Sequence, residues 1–272
     1  MSVSDLREAM DSNPVWYHTI ELTQGLVTPG WFDLRPVVDR MPWPAVAGKR
    51  CLDVGTYDGF LAFEMERRGA AEVVAVDIDD HDRWDWPPDV RAEGGARLAE
   101  LAGPEKGRGF RIAHAALGSK VQRRSVSVYD LTVEALGSFD VVVCGTLLLH
   151  LRDPLRALEA IRGVCRPGGS FLSAEQIGLW LTLLHPRRPI AELNGVGELC
   201  QWWEPNLAGH RRMVFVAGFE IVRGTRPYRV LYGPAHPRLP RTWAALRAGM
   251  LQRVLTGGIG VPHGALLART RV

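Results

Sequence analysis

Between positions 50 and 175 short apolar runs alternate with stretches of helical spacing, and this alternation restricts the chain more than any other feature. RCLDV (50–54), EVVAVD (72–77), VQRRSVSV (121–128), FDVVVCG (139–145) and SFLSAE (170–175) have the length of strands. The unbroken runs VVAV and VVVC suit strands covered on both faces. Between them lie three helical segments: GFLAFEMERRG (59–69), RGFRIAHAALG (108–118) and DPLRALEAIRGVCRPGG (153–169). In the last, Asp153 caps, Pro154 takes the first turn, and Leu155, Leu158 and Ile161 recur on one side before Pro-Gly-Gly. The pattern predicts an α/β fold on a parallel sheet. FEIVRGTRPYRVLY (219–232) and GALLARTRV (264–272) read as a final strand pair, flanking a proline-bounded insertion, 234–263, that carries one helix. A second irregular stretch, 176–206, follows the fifth strand.

Length suits one domain with insertions: 272 residues. The polar start MSVSDLREAMDSN is no secretory signal, and the longest apolar stretch, 141–151, is too short to span a bilayer. Cys51, Cys144, Cys165 and Cys200 are widely separated, which gives neither a zinc site nor a disulfide framework. No His/Cys/Asp/Glu cluster has metal-ligand spacing, so no metal is expected. The expectation is a soluble, cytoplasmic protein without a membrane partner. Charge is lopsided: residues 211–272 hold eleven Arg against one acid, a net of +10, leaving −7 for the rest of a chain of net +3. A basic tail of this kind can face phosphates or an acidic substrate. With 30 Arg and only 3 Lys in the chain, and no interleaved aromatics, solvated arginine is the simpler reading.

The loop in CLDVGTYDGF (51–60) connects the first strand to the first helix, where free backbone N–H groups can meet a ligand. A phosphate-loop reading fails, since there is no G-x-x-x-x-G-K-[ST]. A dinucleotide reading requires G-x-G-x-x-G, and Tyr57 stands near where the backbone would approach a pyrophosphate. The D-x-G-x-x-x-G spacing of Asp53, Gly55 and Gly59 suits a nucleoside ligand without phosphate. Asp77, 22 residues after Gly55, is placed to accept ribose hydroxyls. Asp53 orders the loop, caps its N–H groups, or reaches an ammonium through water.

DVGTYDG, VVAVDID, SVYDL and FDVVVCGTLLLHLRDP, followed by RPGG, together resemble the successive motifs of class I S-adenosylmethionine-dependent methyltransferases. WYHTIELTQGLVTPGWFD (16–33) and the later Trp203–Asn206 segment resemble the group of bacterial tRNA wobble-uridine carboxymethyl/methyltransferases. The resemblance implies a Rossmann-like, seven-stranded, mostly parallel sheet with helices on both faces and an antiparallel last strand. It implies one methyltransferase domain over 1–272: an N-terminal lid or substrate segment (1–45), a cofactor core (46–175), insertions at 176–206 and 234–263, and a final strand at 264–272. S-adenosylmethionine is the implied cofactor. Asp53, Gly55, Thr56, Tyr57 and Gly59 would line its methionine end, Asp77 its ribose, Ile78 its adenine, and Tyr129 and Asp130 the adenine's polar edge. Cys144, Gly145 and Thr146 would lie under the sulfonium. Residues 1–48 contain no lysine and Leu149 precedes His150, so the ordinary cofactor is expected rather than its carboxylated form.

Methyl transfer from a sulfonium needs alignment more than acid–base chemistry, and a base enters only when a hydroxyl is attacked. His150 and His18 are the candidate bases, and Trp16, Tyr17, Trp31, Trp202 and Trp203 the candidate acceptor walls. The expected acceptor is a small molecule, methylated at oxygen. A tRNA acceptor and a catalytically silent nucleoside-binding module are the alternatives.

Overall fold

The computed structural model describes residues 2–102, 105–197, 200–237 and 260–271. The chain opens with α1 (Val3–Asp11), the hairpin β1 (Glu21–Thr23) and β2 (Leu26–Val27), and the short β3 (Phe32–Asp33). The α/β core follows as β4 (Arg50–Val54), α2 (Phe60–Arg67), β5 (Glu72–Asp77), α3 (Pro88–Ala92), α4 (Gly95–Ala102), α5 (Arg108–Leu117), β6 (Gln122–Ser125), α6 (Val133–Leu136), β7 (Phe139–Gly145), α7 (Pro154–Val164) and β8 (Cys165–Gln176). Then come α8 (Leu179–Leu184), the hairpin β9 (Ala191–Leu193) and β10 (Trp203–Pro205), α9 (Leu207–Val216), β11 (Phe219–Gly224), β12 (Tyr228–Tyr232) and β13 (Gly260–Thr270).

The main sheet runs β3-β12-β13-β8-β7-β4-β5-β6, with β11 also paired to β13. The pairs from β6 through β8 are parallel, and β13 lies antiparallel between β8 and the β11/β12 ladder. The Rossmann-like fold and its antiparallel last strand are therefore present, with nine strands in the sheet among the described residues instead of seven. Two local causes account for the difference. The expected strand 219–232 breaks around Pro227, whose nitrogen cannot donate to a ladder, and Phe32–Asp33 adds an edge strand beside β12. Strands at 50–54, 72–77 and 139–145 fall where the apolar runs lie, while β8 starts earlier and α7 ends earlier than expected. Asp153 accepts the Arg156 amide and Pro154 opens α7.

Successive residues of β4, β5 and β7 serve opposite sides, which is why these strands read as unbroken apolar runs. Cys51, Val73, Val141 and Val143 pack with α1, α2, α5 and the N-terminal segment; Leu52, Val74 and Val142 pack with α7 and α9. Leu6, Met10, Trp16, Ile20 and Leu34 belong to the first of these cores, so the N-terminal segment is part of the domain's interior. Most of the expected insertion at 234–263 lies outside the described residues; its last residues, 260–263, begin β13. The 176–206 stretch holds α8 and the β9–β10 hairpin, apart from residues 198 and 199, which lie outside the description.

Candidate functional site

The carboxyl ends of β4, β5 and β7 meet where parallel sheets of this kind hold ligands. After β4, Gly55 (φ 78°), Tyr57 (φ 46°) and Gly59 (φ 93°) turn the chain into α2. Glycine is required at position 59 twice over, since a Cβ there would stand 2.6–2.7 Å from ring atoms of Phe63 and Phe110. Tyr57 adopts the same left-handed region with a side chain, a strained geometry that clusters at functional sites.

Most of the loop's amides are already engaged. Gly55 and Thr56 donate to the Val76 carbonyl, Gly59 donates to the Thr56 carbonyl, and Tyr57 donates to Asp77 Oδ2 at 2.7 Å. Asp77 Oδ1 accepts the Ile78 amide at 2.8 Å. A loop whose amides are committed in this way has little left with which to grip a pyrophosphate. Its side-chain oxygens stand the other way: Asp53 Oδ2 and Thr56 Oγ1 are buried and complete no hydrogen bond of good geometry, although the Thr56 hydroxyl and the Ala62 amide lie near enough to Asp53 to offset part of its burial. Burial pushes the Asp53 carboxyl up to about 7. Buried oxygens left open in this way offer acceptor capacity to a ligand.

Beside the loop is a narrow recess open to solvent, lined in part by Tyr57, Asp77, Ile78, Trp84 and Lys106. Lys106 Nζ lies 4.0 Å from the Trp84 ring centroid and 5.4 Å from that of Tyr57. Burial lowers its pKa to about 8, against the pull of Asp77, Asp58 and Asp79. Asp77 itself is raised by burial, opposed by the Tyr57 and Ile78 amides and by Arg123 and Lys106.

The N-terminal segment closes the other side. Asp58 Oδ2 accepts the amides of Tyr17 at 2.6 Å and His18 at 3.0 Å, which ties that segment to the glycine loop. Burial nevertheless raises the Asp58 carboxyl to about 7. The His18 imidazole is 3.9 Å from the same oxygen, beyond hydrogen-bond reach, and burial lowers its pKa to about 3. The ring is therefore neutral, not ion-paired, and its buried Nδ1 has no hydrogen-bond partner. The Tyr17 ring centroid lies 5.2 Å from that of Tyr57, so these two tyrosines stand between the recess and the next cluster.

That cluster gathers at the end of β7. Gly145 has no room for a Cβ, which would meet Leu61 at 2.6 Å. Thr146 has φ 54°, an outlier for a β-branched residue, and its hydroxyl lies 3.1 Å from His263 Nε2. His263 Nδ1 lies 2.9 Å from the Val261 carbonyl, which can only accept, so Nδ1 carries the proton and Thr146 donates to Nε2. Burial lowers His263 to about 4. Glu175, on β8, accepts the amides of Leu147 at 3.4 Å and Leu148 at 3.2 Å, and burial raises its carboxyl to about 8. Tyr228, registered opposite His263, has a buried hydroxyl without a hydrogen-bond partner. A Cβ on Gly55 would meet Leu147 at 3.0 Å, so this cluster touches the glycine loop directly.

Several of the expected site residues are thus brought together: Asp53, Gly55, Thr56, Tyr57, Gly59, Asp77, Ile78, Gly145, Thr146, Tyr17 and His18. Others are held elsewhere. Trp16 is core, its Nε1 donating to the Met10 carbonyl at 3.0 Å. Trp31 is half-buried, 6.1 Å from the Tyr17 ring. Trp202 donates to the Asp85 carbonyl at 2.6 Å and Trp203 to the Arg152 carbonyl at 3.2 Å, so both staple loops and do not line a cavity with Tyr17. Tyr129 donates to Asp85 at 2.6 Å and Asp130 pairs with Arg83, which fastens the 81–86 turn. Cys144 is fully buried beside Glu175. His150 Nδ1 donates to the Cys200 carbonyl at 3.1 Å. Asp58, Lys106, Glu175, Tyr228 and His263 were missed by sequence reasoning. Asp58 lies inside the motif itself, but the others have no local signature. Among the described residues no group of three or more His, Cys, Asp or Glu could hold a metal ion.

The family model for a methyltransferase domain matches residues 33–216. Ubiquinone biosynthesis O-methyltransferase of Bordetella bronchiseptica is 33% identical over 125 residues, 46% of this chain and 42% of that protein. The chain thus spans less than half the length of the curated relatives it matches. Among solved structures, the [4+2]-cyclase SpnF superposes with a TM-score of 0.54 at 18% identity, over 99% of this chain and 93% of that one. The 1,6-didemethyltoxoflavin-N1-methyltransferase of Burkholderia thailandensis, bound to 1,6-didemethyltoxoflavin and S-adenosylhomocysteine, superposes with a TM-score of 0.51 at 17% identity, over 88% and 78%. At such identities these two structures speak for the fold alone.

Proposed function

Because the chain belongs to the methyltransferase-domain family, we propose that it transfers a methyl group from S-adenosylmethionine to a hydroxyl of a small-molecule acceptor. The observation that carries this reading is the glycine loop, whose amides are committed internally while Asp53 Oδ2 and Thr56 Oγ1 remain buried and unpartnered. Such a loop suits an ammonium-bearing nucleoside and has little to offer a phosphate.

The residues present fit that cofactor. Asp77 would hold the ribose, Ile78 and Trp84 the adenine, and Asp53 with Thr56 the methionine end. When bound, the cofactor supplies an activated methyl group on a sulfonium. What the chain adds is a dry, shaped cavity and a route for one proton. Thr146 and His263 are proposed to supply the route: the acceptor hydroxyl passes its proton to Thr146 Oγ1 as the threonine proton moves to His263 Nε2. The Val261 carbonyl keeps the tautomer ready. His18, neutral and unpartnered at Nδ1, would hydrogen-bond the acceptor from the N-terminal side. The O-methyltransferase name of the Bordetella relative is consistent with an oxygen acceptor.

A tRNA acceptor, suggested by the wobble-uridine resemblance, finds less support. Many arginines around the core are neutralised locally, among them Arg50 by Glu72, Arg83 by Asp130, Arg123 by Asp79 and Arg166 by Asp140. Calorimetric titration with S-adenosylhomocysteine and with NAD tests the donor, with only the former expected to bind. NAD binding alone would sink the methyl-transfer reading. Labelled-methyl transfer to fractionated extract tests the acceptor: label in the small-molecule fraction supports the proposal, and label in bulk tRNA reassigns it.

A further inference from the structure

The segment after β8 inverts the pattern on which the rest of the chain is built. In α8 the buried side chain is Thr182, whose hydroxyl donates to the Gly178 carbonyl at 2.9 Å and accepts the Leu207 amide at 3.1 Å. Trp180, Leu183 and Leu184 instead stand 52%, 52% and 68% exposed. A helix on a water-facing surface normally turns its polar residues out and its apolar ones in. The β9–β10 hairpin beside it adds Leu193 and Val196, at 64% and 62% exposure.

This apolar projection is held in place by built interactions. Asn206 is fully buried, and its Nδ2 donates to the His185 and Arg188 carbonyls, each at 2.9 Å. Its Oδ1 accepts the Gly209 amide at 2.7 Å and the Ile190 amide at 3.1 Å. A single buried amide thus closes the turn that carries the exposed leucines. Immediately after Leu184 come His185, Arg187 and Arg188, all exposed, with Glu192 the nearest acid along the chain.

We propose that this projection is a membrane-docking surface, in which Trp180, Leu183 and Leu184 enter the interfacial zone of a bilayer while Arg187 and Arg188 meet anionic headgroups. Tryptophan favours that zone because its ring is apolar and its N–H is polar. Leucine side chains contribute by burial among acyl chains, and the arginines by attraction to anionic lipid. Among the described residues no helix is long and apolar enough to cross a membrane. Docking is a different mode, and needs only an exposed apolar face flanked by cations. The absence of a span, on which the sequence reading excluded a membrane partner, does not bear on it.

The projection grows from the strand that carries Glu175. Gln176, next along β8, is registered opposite His263, and Gly178 donates to the Pro205 carbonyl at the base of the hairpin. The docking face is therefore mounted on the same end of the sheet as the site. In the one respect that rests on the methyl-transfer reading, it would present the site to an acceptor dissolved in, or attached to, lipid.

The test uses the full chain, without cofactor, sedimented with phosphatidylcholine vesicles that contain or lack phosphatidylglycerol. Partition onto the anionic vesicles, with a blue shift of tryptophan emission, is expected. The triple variant Trp180→Ser/Leu183→Ser/Leu184→Ser should lose at least about tenfold in partition. Arg187→Gln/Arg188→Gln should lose about twenty-five- to thirtyfold, roughly fivefold per arginine, along with most of the salt dependence. S-adenosylhomocysteine binding in the same variants reports on folding, and separately on the methyl-transfer reading. If that binding is absent while vesicle binding persists, the donor reading falls and the docking surface stands. No partition onto either vesicle overturns the docking surface, as does partition that the triple variant leaves intact. It is also overturned by a dimer in vesicle-free buffer that the triple variant converts to monomer, which would assign the face to a second copy.

Discussion

On the β4–β5 side of the site, most polar groups answer one another: Asp77 takes the Tyr57 and Ile78 amides, and Lys106 balances the carboxylates around it. On the β7–β8–β13 side they do not. The Tyr228 hydroxyl is buried without a partner, and Glu175 is held by two long hydrogen bonds to backbone amides. The first region has its amides committed and keeps only the Asp53 and Thr56 oxygens open, which suits a nucleoside that brings its own donors. The second is less complete, and on the proposed function a hydroxyl-bearing acceptor would complete it.

If the two regions have separate duties, substitutions should separate donor binding from turnover. His263→Gln, assayed with whichever acceptor takes up label, should lower kcat by about a hundredfold to ten-thousandfold with S-adenosylhomocysteine affinity unchanged. A parallel loss of affinity would merge the two regions. Asp77→Ala should weaken S-adenosylhomocysteine binding by about a hundredfold by calorimetry, because the carboxylate both meets the ribose and fixes the loop. Unchanged affinity would remove Asp77 from the donor site. The smallest effect expected is on stability without ligand. Asp53, Asp58 and Glu175 are raised to about 7, 7 and 8, so the folded state keeps protons that the unfolded chain has already lost. Their contribution to stability therefore falls as pH rises through those values. His18, His210 and His263, lowered to about 3, 3 and 4, act in the opposite direction, but only below the ordinary histidine range. The thermal midpoint should be nearly level from about pH 4.5 to 6 and fall from about 6.5 to 8.5, with Glu175→Gln removing more than half of the fall. A midpoint that rises across that upper range would contradict the buried-carboxylate account.

The same contrast explains what was legible in the sequence. Asp53, the glycines and Asp77 lie at fixed spacings along one βαβ unit, where local pattern and proposed ligand contact coincide. The strands also declared themselves, since β4, β5 and β7 are apolar on both faces. His263 could not be found that way: it comes from β13 and meets Thr146 only because the last strand inserts beside β8. The tryptophans misled for a related reason, because a large aromatic ring serves a core or a staple as readily as a wall. Trp16, Trp202 and Trp203 are fixed by indole N–H bonds to backbone carbonyls, a use that composition does not reveal. Pro227 was visible from the start as a strand breaker, yet the run around it still reads as one strand.

The double grip of Asp58 on the Tyr17 and His18 amides has a consequence in time. The wall that would judge the acceptor hangs from the loop that would hold the donor, through one carboxylate. On the proposed function, exchange of the donor would tug on the acceptor wall, and the wall would be sharpest with the donor in place. An enzyme hinged in this manner would work in compulsory order, donor first, and its choice of acceptor would be made anew on every cycle.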